Sequence, residues 1–271
     1  MSKIIIESAG GWSVRDFKEL AGYRDLFYFL VWRDIKVLYA QTIMGFSWAI
    51  LQPLIQIVMF TIIFGKVANI PTDGIPYFLF STVAIIPWTY MSSAMSASSM
   101  SLVSGKAMLG KVYFPRLIFP LTSILSKLVD FSISLLIVVA VMVYYKVTPT
   151  TNLFYLPLFI VFMAIVPLGV GLWLSSLAIR FRDVNFAMQF FIRMLMYTAP
   201  VVYAASSIPD EFRFLYSLNP LVSVIEGFRA CLLGSALDWG IIIPGLISAV
   251  VILVTGALYF KRTEHIFVDV I

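Results

Sequence analysis

Apolar positions fill long stretches of this chain, and charged positions are confined mostly to what lies between them. Ile43–Phe64 runs 22 residues without a charge; at 1.5 Å per residue that is about 33 Å of helix, enough to cross the hydrocarbon core of a bilayer. Ile75–Ser104 is also uncharged, with the second span starting near Tyr77. Leu117–Tyr145, Leu153–Ile179, Phe186–Tyr203 and Gly240–Phe260 repeat the pattern with few or no charges. Six spanning helices are therefore predicted, in an all-α polytopic membrane protein. Ahead of them, Leu26, Phe27, Leu30, Val31, Ile35 and Leu38 recur at helical spacing among charged residues, the pattern of an amphipathic helix lying in the membrane interface.

One later stretch resists a single assignment. Phe214–Leu237 is long enough to cross, but Asn219-Pro220 breaks it and Glu226, Arg229 and Gly234 punctuate the rest. A full crossing there would also place Lys261 and Arg262 on the outer side. Two short re-entrant or gate helices on that side, before the last span, fit the charge distribution better.

The connections orient the whole. Ser104–Pro120 is a short basic island between two apolar runs, carrying Lys106, Lys111 and Arg116. By the positive-inside rule it faces the cytoplasm. Arg180, Arg182 and Asp183 fall where the next cytoplasmic connection is due, and both termini land on the same side. Of 19 cations, only Lys66, Lys146, Arg213 and Arg229 fall on the outer side or in its re-entrant segment, which fixes the direction of the bundle. The chain thus divides into a cytoplasmic or interfacial segment 1–41, a transmembrane domain 42–260 and a cytoplasmic tail 261–271. A removable signal peptide is not expected, because the first forty residues carry charges throughout.

Composition narrows the chemistry. With 61% hydrophobic and 12% charged residues, the chain lies outside the range of soluble domains. Its net charge of +5 is spread over connections rather than one face, so no nucleic-acid partner is expected. A single cysteine, Cys231, and a single histidine, His265, offer no cluster for a transition metal. Gly105-x-x-x-x-Gly110-Lys111 has the spacing of a phosphate-binding loop, but Val112 stands where a hydroxyl should hold magnesium and no strand precedes it. Within the spans, Lys127 and Asp130 lie three apart on one helix face, as a pair that can neutralise itself. Arg193 is two to three turns inside and needs water, a carboxylate or backbone oxygens. The small-residue run Ser92–Ser101 reads as helix packing, and Pro200 as a bend in the fifth span.

An ordered set of short motifs resembles the ABC-2 type permeases that export polysaccharides. Trp32-Arg33-Asp34-Ile35-Lys36 opens it, followed by Gln41-Thr42, Met44-Gly45, Trp48 and Gln52-Pro53. Pro87-Trp88, Lys111-Val112-Tyr113-Phe114-Pro115-Arg116, Arg182-Asp183, Pro200-Val201-Val202-Tyr203, Asn219-Pro220 and the tail's Glu264, Phe267 and Asp269 follow in order. Leu38 departs from the pattern, standing where such permeases often carry a basic residue. The resemblance implies the transmembrane subunit of an exporter of lipid-linked, O-antigen-like polysaccharide in a bacterial inner membrane. It further implies a homodimer, working with two copies of a separate ATPase that bind the ATP and magnesium; this chain would bind no cofactor of its own and would not be an enzyme.

On that reading Lys106, Lys111, Tyr113, Phe114, Pro115, Arg116, Arg182 and Asp183 couple the chain to its ATPase. Asn219, Pro220, Glu226 and Arg229 belong to the outer gate. Trp48, Tyr77, Trp88 and Tyr90 are candidates for the sugar channel, since aromatic rings offer a flat apolar face to a pyranose. Alternatives are a permease for teichoic acid, capsule or a small lipid or drug. A proton-coupled carrier using Lys127, Asp130 and Arg193 lacks the internal repeat many carriers show, and an intramembrane enzyme lacks a paired-carboxylate or His/Asp constellation in the spans.

Overall fold

A computed structural model describes residues 19–40, 42, 44–109, 114–264 and 267. Among them every regular element is helical. Helix α1 (Arg24–Tyr39) precedes a short 3-10 turn, Gly45–Ser47, and α2 (Trp48–Phe60), which continues through a wider π turn at Thr61–Val67. Then come α3 (Tyr77–Ser104), a single helical turn Lys106–Leu109, α4 (Ile118–Tyr144) and α5 (Leu156–Ala178), the last preceded by a 3-10 turn at Thr151–Tyr155. The chain ends with α6 (Asp183–Thr198), α7 (Asp210–Ser217), α8 (Pro220–Leu233) and α9 (Trp239–Thr263).

Five helical segments among the described residues are long and apolar enough to cross a membrane: Gly45–Val67, Tyr77–Ser104, Ile118–Tyr144, Thr151–Ala178 and Trp239–Thr263. The chain is a multi-pass membrane protein. Helix α6, where the fifth span is expected, has only 16 residues, about 24 Å. It does not bend at Pro200 but ends before it, with Ala199 extended at φ −110°, ψ 153°. The proline ring disfavours helical geometry in the residue ahead of it, so the helix terminates there.

The reverse holds at Pro53, which lies inside α2 without breaking it. A proline lacks the N–H that would bond the carbonyl four residues back, here that of Ala49. The Ser134 hydroxyl of α4 donates to that carbonyl at 2.8 Å, so the freed acceptor is satisfied from a neighbouring helix.

Helix α3 is the hub of the bundle. It packs along both α4 and α5, and α5 in turn packs along α9. Small residues set those distances: a side chain added at Gly171 would overlap Ser98 of α3, and one at Gly169 would meet the α9 backbone at Ile252 and Leu253. The main core between the helices includes Val83, Trp88, Met91, Phe131, Phe159 and Phe228. A second, smaller core at one end gathers Leu30 of α1, Leu102 of α3, Phe114, Ile118 and Phe119, Leu172 of α5, and Phe260 and Phe267. Gly105, first residue of the sequence's phosphate-loop look-alike, packs against the Phe119 ring in this second core.

Candidate functional site

A groove of about 210 Å³ runs between α1, α2, α3 and α4. Its charged floor is the pair predicted from sequence: Lys127 Nζ lies 3.2 Å from Asp130 Oδ2, both side chains largely shielded. The other carboxylate oxygen accepts from the Tyr39 hydroxyl, which reaches in from the end of α1. Burial, then the hydrogen bond and negative charge of Asp130, push the Tyr39 phenol well above its usual range, so it stays a donor. Tyr39 also stacks on Phe46, ring centroids 4.1 Å apart.

The walls carry further polar groups. Tyr90 of α3 donates to the Ile124 carbonyl at 3.3 Å, and Ser134 bridges the Ala49 and Asp130 carbonyls at 2.8 Å each. Around this one groove, then, α1, α2 and α3 are each hydrogen-bonded to α4. Trp48 lines it with 47% of its surface open. Gln52 and Thr89 line it too: neither the Gln52 amide nor the buried Thr89 hydroxyl bonds a described residue.

Of the four aromatic channel candidates the groove collects Trp48 and Tyr90. Tyr77 stands at the far end of α3, its hydroxyl donating to the Val202 carbonyl at 2.8 Å. Trp88 is 4% exposed and belongs to the main core. Arg193 is exposed on α6 and does not line the groove. Tyr39, Thr89, Ser93 and Ser134 were not foreseen as groove residues, because a helical pattern reveals a face but not which distant helix will meet it.

The basic island is anchored in the second core. Phe114 is 3% exposed and tilts against Phe119 at 5.4 Å, while Pro115 is half-buried and its carbonyl accepts from the Ile118 amide. Arg116 donates to the Glu264 carbonyl, and its guanidinium sits 5.7 Å from the Phe267 ring centroid. The island is therefore fastened to the end of α9 and, through Leu30, to α1. Lys106 is exposed on the single turn that follows α3. Lys111 and Tyr113 lie outside the described residues. Arg182 and Asp183 are exposed where α6 begins, with Asp183 in the first turn, favourable for the positive end of the helix dipole.

At the opposite end, the break after α6 leaves carbonyls that a helix can no longer satisfy. Three side chains take them: Tyr203 donates to Tyr197, Asn219 to Thr198 at 3.2 Å, and Arg229 to Pro200 at 2.7 Å. Arg229 is also paired with Glu226 and lies 3.8 Å from the centroid of the Phe80 ring of α3. Asn219 caps α8 through the Leu221 amide, and Pro220 opens that helix where its missing N–H costs nothing. Gly234 ends α8 in the left-handed conformation at φ +74°, which glycine adopts without strain. The predicted gate residues thus form one hub joining α3, α6 and α8.

A family profile described as ABC-2 type transporter matches residues 25–233. The chain is 25% identical over 248 residues to the O-antigen export system permease protein RfbA of Klebsiella pneumoniae, covering 91% of this chain and 95% of that one. It is 26% identical over 219 residues to the protein of the same name from Myxococcus xanthus, covering 80% and 84%. To the polysialic acid transport protein KpsM of Escherichia coli it is 22% identical over 239 residues, covering 86% and 91%.

Proposed function

The chain belongs to the ABC-2 type transporter family, and from that premise we propose that it is the transmembrane subunit of an exporter of lipid-linked polysaccharide, driven by ATP hydrolysis in a separate subunit. The observation that carries the reading is the alignment with O-antigen export permeases along 91% of this chain. It crosses the inner membrane six times, α6 and the buried turn after it forming the fifth crossing, with both termini cytoplasmic. Two copies of the chain work with two copies of the ATPase. Helix α1 lies in the membrane interface, and α7 and α8 cap the outer exit.

On this reading the island and the start of α6 receive the motion of the ATPase. The anchoring of Phe114 and Arg116 supports that role, since a push on the island reaches α1 and the end of α9 through direct contacts. Trp48 and Tyr90 contact the passing glycan. The apolar faces that α2 and α6 leave open, among them Ile55, Met59, Phe190 and Phe191, meet lipid or the second copy.

The test is to delete the gene in its host and follow long-chain lipid-linked glycan. It should vanish from the surface, accumulate in the cytoplasm, and return only when this chain is supplied together with its ATPase. Arg116→Ala should insert normally yet restore less than about a tenth of the surface glycan, the loss expected when a positioning contact is removed. Unchanged surface glycan in the deletion strain would overturn the export reading.

A further inference from the structure

The groove beside α1 has a chemistry that goes further. Among the described residues of its lining, Lys127 and Asp130 are the only Asp, Glu, Lys or Arg side chains, and they are directly paired, one cation with one acid. The pairing does not use up its hydrogen bonds. An ammonium has three donors and a carboxylate about four acceptor positions. Here Lys127 directs one donor at Asp130, whose carboxylate accepts, among the described residues, only from Lys127 and Tyr39. Gln52 adds an amide with both a donor and an acceptor end, and Thr89 a hydroxyl, neither bonded to described protein.

A buried hydroxyl without a partner is costly, as Thr89 is here, and beside it the exposed Gln52 amide and the charged pair set donors and acceptors next to one another. A hydroxyl is both donor and acceptor. A ring bearing several of them can answer this set along its edge while its CH-rich face lies on the open indole of Trp48. A carboxylate-bearing unit would instead find the attraction of Lys127 offset by Asp130 at the same spot.

Resting on the export reading, we propose that this groove is a subsite for neutral, hydroxyl-rich glycan units and that Asp130 sets its selectivity against acidic ones. Lys127 and Gln52 donate to sugar hydroxyls, Asp130 accepts from them, and Trp48 supplies the stacking face. Removing the negative partner leaves an unbalanced ammonium, which turns the same groove towards anions.

The test uses the full-length chain in lipid nanodiscs, with a mannose pentamer and a sialic acid pentamer as probes and saturation-transfer NMR as readout. The mannose pentamer should bind at least about tenfold more tightly. Asp130→Asn should abolish that preference by raising affinity for the sialic acid pentamer about tenfold. Lys127→Gln should eliminate sialic acid binding and weaken mannose binding by about tenfold or less, the loss of one charged hydroxyl donor, so that the preference for mannose widens. It serves independently if Asp130→Asn does not fold, as judged by gel filtration.

Equal binding of the two probes to the parent chain, no binding of either, or a preference unchanged in both variants would overturn the proposal. Export can be lost in the gene deletion while the probes show no preference, in which case this inference alone fails. If surface glycan persists in the deletion and the preference is present, the export reading fails and the groove keeps its chemistry.

Discussion

Helices α2 and α3 are neighbours in sequence and in space, yet the bilayer and the protein have claimed them differently. Segment Gly45–Val67 is the more apolar of the two and has 11% of its most apolar stretch buried within the chain, whereas α3 is the least apolar of the five long segments and has 78% buried. In water the order would be reversed, because apolar surface is driven inward. In lipid no such force separates one apolar helix from another, and close association comes from small residues that let backbones approach. Helix α3 is rich in them. Ser81, Thr82, Ser92, Ser93, Ser99, Ser101 and Ser104 each donate to a carbonyl three or four residues back. Their hydroxyls are satisfied locally, and what they present to α4 and α5 is small volume rather than polarity.

That contrast can be broken most severely at Trp88. Replacing it with alanine removes a large, 4% exposed side chain from the hub, which should cost about 3–5 kcal/mol. The loss would appear as a large fall in the midpoint of denaturing-detergent unfolding followed by fluorescence; a change under about 1 kcal/mol would show that α3 is not the hub.

A smaller effect is expected where the two helices meet α4. Ser134→Ala leaves the Ala49 carbonyl without its partner, for about 1 kcal/mol. In a Pro53→Ala background, where the backbone N–H is restored, the same substitution should cost nearly nothing. Equal costs in both backgrounds would refute the assignment of Ser134 to the carbonyl freed by Pro53.

The least effect is expected on the open face of α2. Ile55→Ala there should shift unfolding of the detergent-solubilised chain by less than about 0.5 kcal/mol. A larger shift would reveal that this face is covered by a second copy even in detergent, and would sharpen the contrast by dividing α2 between lipid and partner.

The positions of the long helices could be read from the uncharged runs, since lipid demands unbroken apolar length, and α1 from its spacing. So could the Lys127–Asp130 pair, because three residues apart on a helix is a local matter. The central place of α3 could not. A helix that is apolar and small all round gives no directional pattern, and its partners are chosen by volume. The two prolines differ for one reason: Pro53, which the uncharged run carries through, is accommodated because Ser134 lies across from its orphaned carbonyl, while at Pro200 the expected bend is a helix end, and the carbonyls there are taken by Tyr203, Asn219 and Arg229. Whether a break is repaired or accepted depends on a residue far away in sequence. Tyr39 illustrates the same limit, since its bond to Asp130 spans 91 residues. Of the candidate site, the charges, two of its aromatic residues and Gln52 as a polar group within a span were legible; the Thr89 hydroxyl, without a partner among the described residues, emerged only from the assembled helices.

The serines of α3 bear on how the protein is made. During synthesis each segment is weighed by the insertion machinery on its own hydropathy, and serines and threonines lower the tendency of a segment to partition into lipid. Helix α3 leaves the ribosome before the helices that will surround it, α4 and α5. Of the five long spans the hub is thus the one the bilayer accepts least readily, and the helices that cover it are not yet translated when it emerges.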